Sequence, residues 1–282
     1  MRDQVCIIIP TRDPERVRAL IQQCFAQGWE ECVVVHPGNS VPLEGAVSIG
    51  TGALLSPAAA RNCGARATEK PLLCFLDDDV IIHDDTIERL VTFCTDNQHV
   101  AVGPRLTDHQ NDGYWRRCMH RVMAGQQGGT GSLSAPDALM SMMLVVNRMP
   151  FWQVGGFDES YQTPAGEDTA LTMRLGRQGT LGIDWSVHVH HHPHPDGWLP
   201  ATRRLWHYGR AWAHLCTTEQ RLTTWILGFP PPIRLVCIAG VPLLAGYDAL
   251  LHTTPRYVVG YAWLRMCWYV AVLTAPRDRD TA

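Results

Sequence analysis

Along the first 105 residues one rhythm repeats: a short unbroken apolar run, then a longer amphipathic one. Val5 to Pro10 (VCIIIP) is apolar without alternation, the pattern of a strand covered on both faces. Asp13 before Pro14 supplies a helix N-cap and first helical residue. Val17, Leu20, Ile21, Cys24 and Phe25 then recur at helical spacing until Gly28 ends the element. Glu31 to Val35 reads as a second strand. Ser56 and Pro57 repeat the cap-and-start signal for a helix reaching to the neighbourhood of Thr68, and Leu72 opens a third apolar run. Asp84 or Asp85 starts another helix with Ile87, Leu90, Val91 and Cys94 inward, ahead of a short strand from Val100 to Pro104. Strand alternating with helix predicts an α/β fold, a mostly parallel central sheet flanked by helices, with ligands bound along the strand ends.

The third apolar run ends abruptly in three acids, Asp77, Asp78 and Asp79, within PLLCFLDDDV. Carboxylates this crowded repel one another unless a cation neutralises them. Hard oxygen ligands suit Mn2+ or Mg2+, which can bridge to the phosphates of a substrate. A solvated acidic turn is the plainer reading of the triplet taken alone.

Three blocks, in order and at matching spacing, resemble the inverting nucleotide-sugar glycosyltransferases of family 2, of GT-A type. They are IIIPTRD at Ile7 to Asp13, LSPAAARNCGARATEKPLLCFLDDDV at Leu55 to Val80, and VGGFDESYQTPAGEDTALTMRLGRQG at Val154 to Gly179. The resemblance runs from about residue 4 to residue 210. It implies a GT-A fold and roles for matching positions. Pro10, Thr11 and Arg12 fall where the donor nucleotide sits. Arg61 falls where a basic residue approaches the diphosphate, which a guanidinium can pair bidentately. Asp77 to Asp79 occupy the metal-and-ribose motif, with Asp79 as main metal ligand, Asp77 nearer the ribose or a metal-bound water, and Asp78 on the donor side. Acids in a first helical turn, such as Glu167 and Asp168, are favoured by the helix dipole alone. The resemblance makes Asp168 the general base that deprotonates an acceptor hydroxyl, beside Glu167. Gly155 and Gly156 belong to the same block, where absent side chains let backbone approach sugar or acceptor.

Further along, alternation puts His188, His190 and His192 on one strand face, which taken alone reads as a polar strand end, and the resemblance makes His190, with His192 next, a metal or diphosphate ligand. Where many family members carry a pair of aspartates after the second strand, this chain has His36, Pro37, Gly38 and Asn39. His36 is the residue there that can stack on or hydrogen-bond a base. A UDP-sugar is the commonest donor in the family, with GDP-, dTDP- and lipid-phosphate-linked donors open. Tyr114, Trp115 and the glycine-rich Gly125 to Gly131 stretch fall where the family places acceptor-side loops. Two rivals share much of this pattern: a polyprenyl-phosphate sugar synthase, and a noncatalytic nucleotide-sugar-binding protein.

After RRLWHYGRAWAHL the chain turns strongly apolar. Leu235 to Tyr247 and Tyr257 to Leu273 are shorter or more interrupted than the run of about 20 apolar residues a bilayer span requires. They read as a helical hairpin that packs on the catalytic domain, pairs two copies as a homodimer, or lies in a membrane interface beside Trp225, Trp263, Trp268 and Tyr269. This divides the chain into a catalytic domain at 1–215 and a hydrophobic helical extension at 216–282. Scattered cysteines and an N-terminus that begins as a core strand fit a cytoplasmic enzyme, with any membrane contact peripheral and on the cytoplasmic face. The net charge of −3 gives no electrostatic case for nonspecific nucleic-acid binding.

Overall fold

In a computed structural model, residues 1–107, 112–127, 138–161, 165–191, 196–218 and 231–275 are described. The chain forms two compact units, Met1–Thr107 with Gln126–Pro193, and Asp108–Gly125 with His194–Ala282.

The first unit is built on an eight-stranded sheet. Its strands are β1 (Val5–Pro10), β2 (Cys32–His36), β3 (Val47–Gly50), β4 (Leu72–Leu76), β5 (Val80–Ile81), β6 (Ala101–Leu106), β7 (Met143–Asn147) and β8 (Leu181–His191), in the order β3-β2-β1-β4-β7-β6-β8-β5. The stretch β3-β2-β1-β4 and the pair β6-β8 are parallel. β7 runs antiparallel to both β4 and β6, and β5 runs antiparallel to β8. The mostly parallel α/β architecture expected from the sequence is therefore present.

Helices cover both faces of the sheet. On one side Ile7, Ile9, Val34, Cys74 and Leu76 pack with Ile21 and Cys24 of α1 (Arg18–Ala26) and with Ile87, Leu90 and Val91 of α3 (Thr86–Asp96). On the other, Ile8, Val33, Val35, Leu73 and Phe75 meet Ala58 and Ala65 of α2 (Pro57–Arg66), Phe151 of α5 (Arg148–Gln153), and Leu171 and Leu175 of α6 (Glu167–Leu175). Alternate residues of each strand thus feed two cores, which is why the strands read as unbroken apolar runs. The caps match the sequence: Asp13 accepts from the Glu15 amide at 3.0 Å, and Ser56 from the Ala59 amide at 3.3 Å. Asp13 and Pro14 open a short 3-10 turn, Pro14–Val17, before α1 begins. Phe25, expected inward, lies off the buried stripe of α1 and is exposed.

The second unit contains α4 (Tyr114–Gln127), α7 (Trp198–Thr218), α8 (Pro231–His252) and α9 (Val258–Leu273). Its core is Cys118, Val122, Ala201, Leu205, Ala249, Tyr257, Tyr261 and Leu264. α9 packs against both α7 and α8. Tyr114 and Trp115 are helical, where the sequence suggested a loop. The expected domain boundary at residue 215 falls inside α7, which belongs with the C-terminal helices. α8 extends beyond the apolar run Leu235 to Tyr247 at both ends, and in its last turns Asp248 pairs with Arg265 and His252.

Candidate active site

β4 is buried along its length and delivers the three acids at its C-terminal end. The Asp77 amide donates to the Met142 carbonyl at 2.9 Å, and the Val80 amide to the Asp77 carbonyl at 3.4 Å, closing the turn into β5. The carboxylates keep different company. Asp77 Oδ1 accepts from Arg61 Nη2 at 2.6 Å. Asp78 Oδ2 accepts from the Thr11 hydroxyl at 2.6 Å, with Arg16 Nη1 4.0 Å away. Burial, with the charges of Asp79 and Asp77 adding, holds the Asp78 carboxyl above its ordinary range against the Thr11 hydrogen bond and Arg16.

Arg61 lies in α2 and is only 4% exposed. Its second terminal nitrogen, Nη1, donates to Glu167 Oε1 at 3.1 Å, and its guanidinium carbon sits 5.5 Å from the Phe157 ring centroid. One side chain therefore ties the acidic end of β4 to the first turn of α6. With both terminal nitrogens committed to carboxylates, the guanidinium braces these two segments and does not project into solvent. Arg61 Nε and Glu167 Oε2 are buried without a hydrogen-bond partner, so the bridge is not fully satisfied.

The entry to α6 depends on Gly166, whose φ of 86° is left-handed and disfavours any residue with a Cβ. Glu167 is buried, while Asp168 keeps part of its surface accessible. Asp168 Oδ2 accepts from the Ser141 amide at 3.2 Å, and Oδ1 from the Thr169 amide at 2.7 Å. Burial raises the Asp168 carboxyl above its usual range, although those hydrogen bonds and the Arg61 charge oppose the shift. Burial and then the neighbouring Asp168 charge likewise raise Glu167.

The other expected residues are placed as follows. Pro10 ends β1, Thr11 is buried against Asp78, and Arg12 is exposed. His36 is buried, with Nδ1 3.0 Å from the Pro37 carbonyl and Nε2 3.0 Å from the Ser48 hydroxyl, so both ring nitrogens have protein partners. Gly155 and Gly156 have φ of 85° and 69° and turn the chain out of α5. His190 pairs in register with Ile81, two residues beyond Asp79, and its Nδ1 lies 3.2 Å from the Thr107 hydroxyl. His188 is exposed on the same strand; His192, Trp225 and Gly128 to Gly131 lie outside the described residues. Tyr114 and Trp115 belong to the second unit. There Tyr114 accepts from the Gly260 amide at 3.1 Å and its ring packs on Trp115 and Tyr257.

Two residues that shape the site were not anticipated. Asn62 donates to the Phe157 carbonyl at 2.8 Å and accepts from the Phe157 amide at 2.9 Å, clamping the Gly155–Gly156 turn to α2. Arg174 donates to the Gly156 carbonyl at 2.8 Å. Asn62 stands beside Arg61 in the AAARN segment, which is the only hint the sequence offers.

Residues 54–154 match the family model for glycosyl transferase family 2. The resemblance read from the motifs is borne out. The matched segment contains Arg61, Asn62 and all three acids. The fold is similar to that of a mannosyltransferase from Pyrobaculum calidifontis solved with GDP-Man and Mn2+. That likeness has a TM-score of 0.60 at 17% identity over 96% of this chain and 87% of that one. Glucosyl-3-phosphoglycerate synthase from Mycobacterium tuberculosis, solved with Mn2+, UDP-glucose and phosphoglyceric acid, gives a TM-score of 0.52 at 16% identity, covering 76% and 79%. S. aureus TarS residues 1–349 with UDP-GlcNAc gives 0.53 at 11% identity, covering 93% and 90%. The fold is thus that of the GT-A glycosyltransferases. No curated protein matches the sequence.

The Mn2+ present in two of the similar structures raises the question of a metal. Among the described residues, no three His, Cys, Asp or Glu side chains stand together as a ready-made shell. A cation that bridges to substrate phosphates takes only one or two protein carboxylates, with water and phosphate oxygens completing its octahedron. The adjacent acids at the end of β4 fit that donor set.

Proposed function

We propose that the protein is an inverting glycosyltransferase that moves a sugar from a nucleotide-sugar donor to an acceptor hydroxyl, with a divalent metal as cofactor. The observation that carries this reading is the Arg61 bridge. It joins Asp77 at the acidic end of β4 to Glu167 in the first turn of α6, so one buried side chain ties a donor-side acid to the residue next to the candidate base Asp168. The family match over the segment that carries these acids supports the reaction class. The nucleotide-sugars in the similar structures support the donor class.

In this mechanism Asp168 accepts the proton of the acceptor hydroxyl as that oxygen attacks the anomeric carbon. The new carbon–oxygen bond forms on the face opposite the leaving nucleoside diphosphate, whose bond to the sugar breaks with both electrons. The Ser141 and Thr169 amides hold the Asp168 carboxylate in place. Arg61 fixes Asp77, and Thr11 fixes Asp78. Asp77, Asp79 and His190 are the residues that would hold Mn2+ or Mg2+, and the ion would supply positive charge opposite the departing diphosphate. Pro10, Thr11 and Arg12 face the nucleotide at the end of β1.

The test is a thermal-shift series with UDP, GDP, dTDP and CMP, each with Mn2+ and with chelator. A rise in Tm for one nucleotide that disappears with chelator is the expected result and names the donor class. A flat response to all four overturns the nucleotide-sugar reading.

A further inference from the structure

The second unit carries a helix whose polarity is reversed. In α8 the residues turned into the protein include the small or ionisable ones: Ala245 and Ala249 are buried, and so is Arg234, which donates from Nη1 to the carbonyls of Leu273 and Ala275 at 3.2 and 3.1 Å. Asp248 is mostly covered and accepts from Arg265 Nε at 2.5 Å. The residues turned outward are aliphatic. Leu235, Val236, Leu243, Leu250 and Leu251 are all exposed, with Leu243 at 81% and Val236 at 73%. Apart from Tyr247 and the terminal His252, this outer face presents no hydrogen-bonding side chain. The same unit builds an ordinary aqueous face elsewhere, since α7 leaves Arg203, His207 and Arg210 exposed.

We propose that the outer face of α8 docks on a lipid surface. Charges turned inward and satisfied, with hydrocarbon outward, is the arrangement a nonpolar solvent demands and water disfavours. A second copy of the chain fits less well. Protein interfaces carry a polar rim and about one hydrogen bond per 100–200 Å2, and this face offers little to make them with. The helix from Ile233 to His252 is long and apolar enough to cross a membrane by length and composition. Its partner in the hairpin is not. α9 has 16 residues, about 24 Å of helix against a hydrocarbon core of about 30 Å. α8 therefore lies in the interface, its aliphatic face immersed and the Asp248–Arg265 pair on the protein side.

The inference goes beyond the proposed transfer reaction, and its test needs no turnover. The full chain is floated on a density gradient with vesicles of POPC and of POPC with POPG at a 3:1 ratio, next to Leu250→Lys and the double variant Leu243→Glu/Leu250→Glu. Wild type is expected to rise with the vesicles, and the double variant to lose partitioning on the order of a hundredfold. Its far-UV circular dichroism and its nucleotide-induced Tm shift should stay unchanged. Leu250→Lys, a milder change, should show a smaller loss in the same direction and serves if the double variant does not fold. Wild type remaining at the bottom with both vesicles overturns the proposal. So does a dimer in sedimentation velocity that the double variant converts to monomer without any vesicle binding by wild type, since a second copy then covers the face.

Discussion

Arg61 Nη2 stands 2.6 Å from Asp77 Oδ1 with the arginine almost wholly buried, and the same guanidinium reaches Glu167. A cation in this position does two jobs. It neutralises acids that would otherwise repel one another, and it fixes the distance between the end of β4 and the start of α6. The arrangement also makes the site dependent on one side chain, because both carboxylates are left without their cation when it is removed.

Arg61→Ala should destabilise the protein by about 3–5 kcal/mol, the usual cost of breaking a buried ion pair from one side. Chemical denaturation followed by circular dichroism measures it. Arg61→Lys keeps the charge but cannot fork to two carboxylates, so it should fall between alanine and wild type. A loss below about 0.5 kcal/mol for alanine, the range of ordinary surface changes, contradicts the bracing role.

Asp168→Asn should lower kcat by roughly 100- to 10,000-fold, the usual contribution of a general base, while nucleotide binding by calorimetry stays within error of wild type. Full activity in this variant means that the acceptor needs no deprotonation, as an already ionised acceptor would not.

The acid limb of kcat/KM should lie above the ordinary aspartate range of about 3.9, because Asp168 must be ionised to act and burial raises its pKa. Glu167 gives a matching stability effect. Its folded-state pKa is raised, so its contribution to stability is full below the ordinary glutamate value of about 4.3 and is lost as pH rises through the folded value. Wild type should therefore lose stability relative to Glu167→Gln as pH is raised across that interval. Denaturation midpoints for both proteins across the series measure the crossing difference.

Asp79→Asn should abolish the chelator-sensitive part of the nucleotide Tm shift. Retention of the full metal-dependent shift would remove Asp79 from the ligand set.

Gly156→Ala should be costly, and Gly155→Ala less so. Both have positive φ, worth of order 1–3 kcal/mol of strain for an L-residue. At Gly156 a Cβ also lands 2.8 Å from Asn62 Oδ1, while at Gly155 it meets open space. Equal losses of Tm would mean that the Asn62 clamp moves aside at no cost.

Much was legible in the chain because the information is local. Unbroken apolar runs reported strands buried on both faces. Ser56–Pro57 reported the start of α2, while Asp13–Pro14 gave only a 3-10 turn ahead of α1. Ile87, Leu90, Val91 and Cys94 marked the inner face of α3. The acids after β4 and the Gly–Glu–Asp entry to α6 were visible as motifs, since their residue types are tied to their positions at element ends. β3 was not legible: its four residues are partly exposed, so no apolar run announces it. The helicity of Tyr114–Gln127 was obscured by polar and glycine-rich flanks.

What only the tertiary structure decided is which groups meet. Arg61 and Glu167 lie 106 positions apart, and no periodicity in either helix says that one guanidinium joins them to Asp77. The same holds for His36, whose ring nitrogens are taken by Pro37 and Ser48. It holds too for α8, where the sequence shows apolar content but only packing shows which side stays outward. Local pattern sets the elements, because each residue's backbone preference and burial act over a few neighbours. The contacts that define a site are made by side chains distant in sequence, and packing alone brings them within a hydrogen bond's reach.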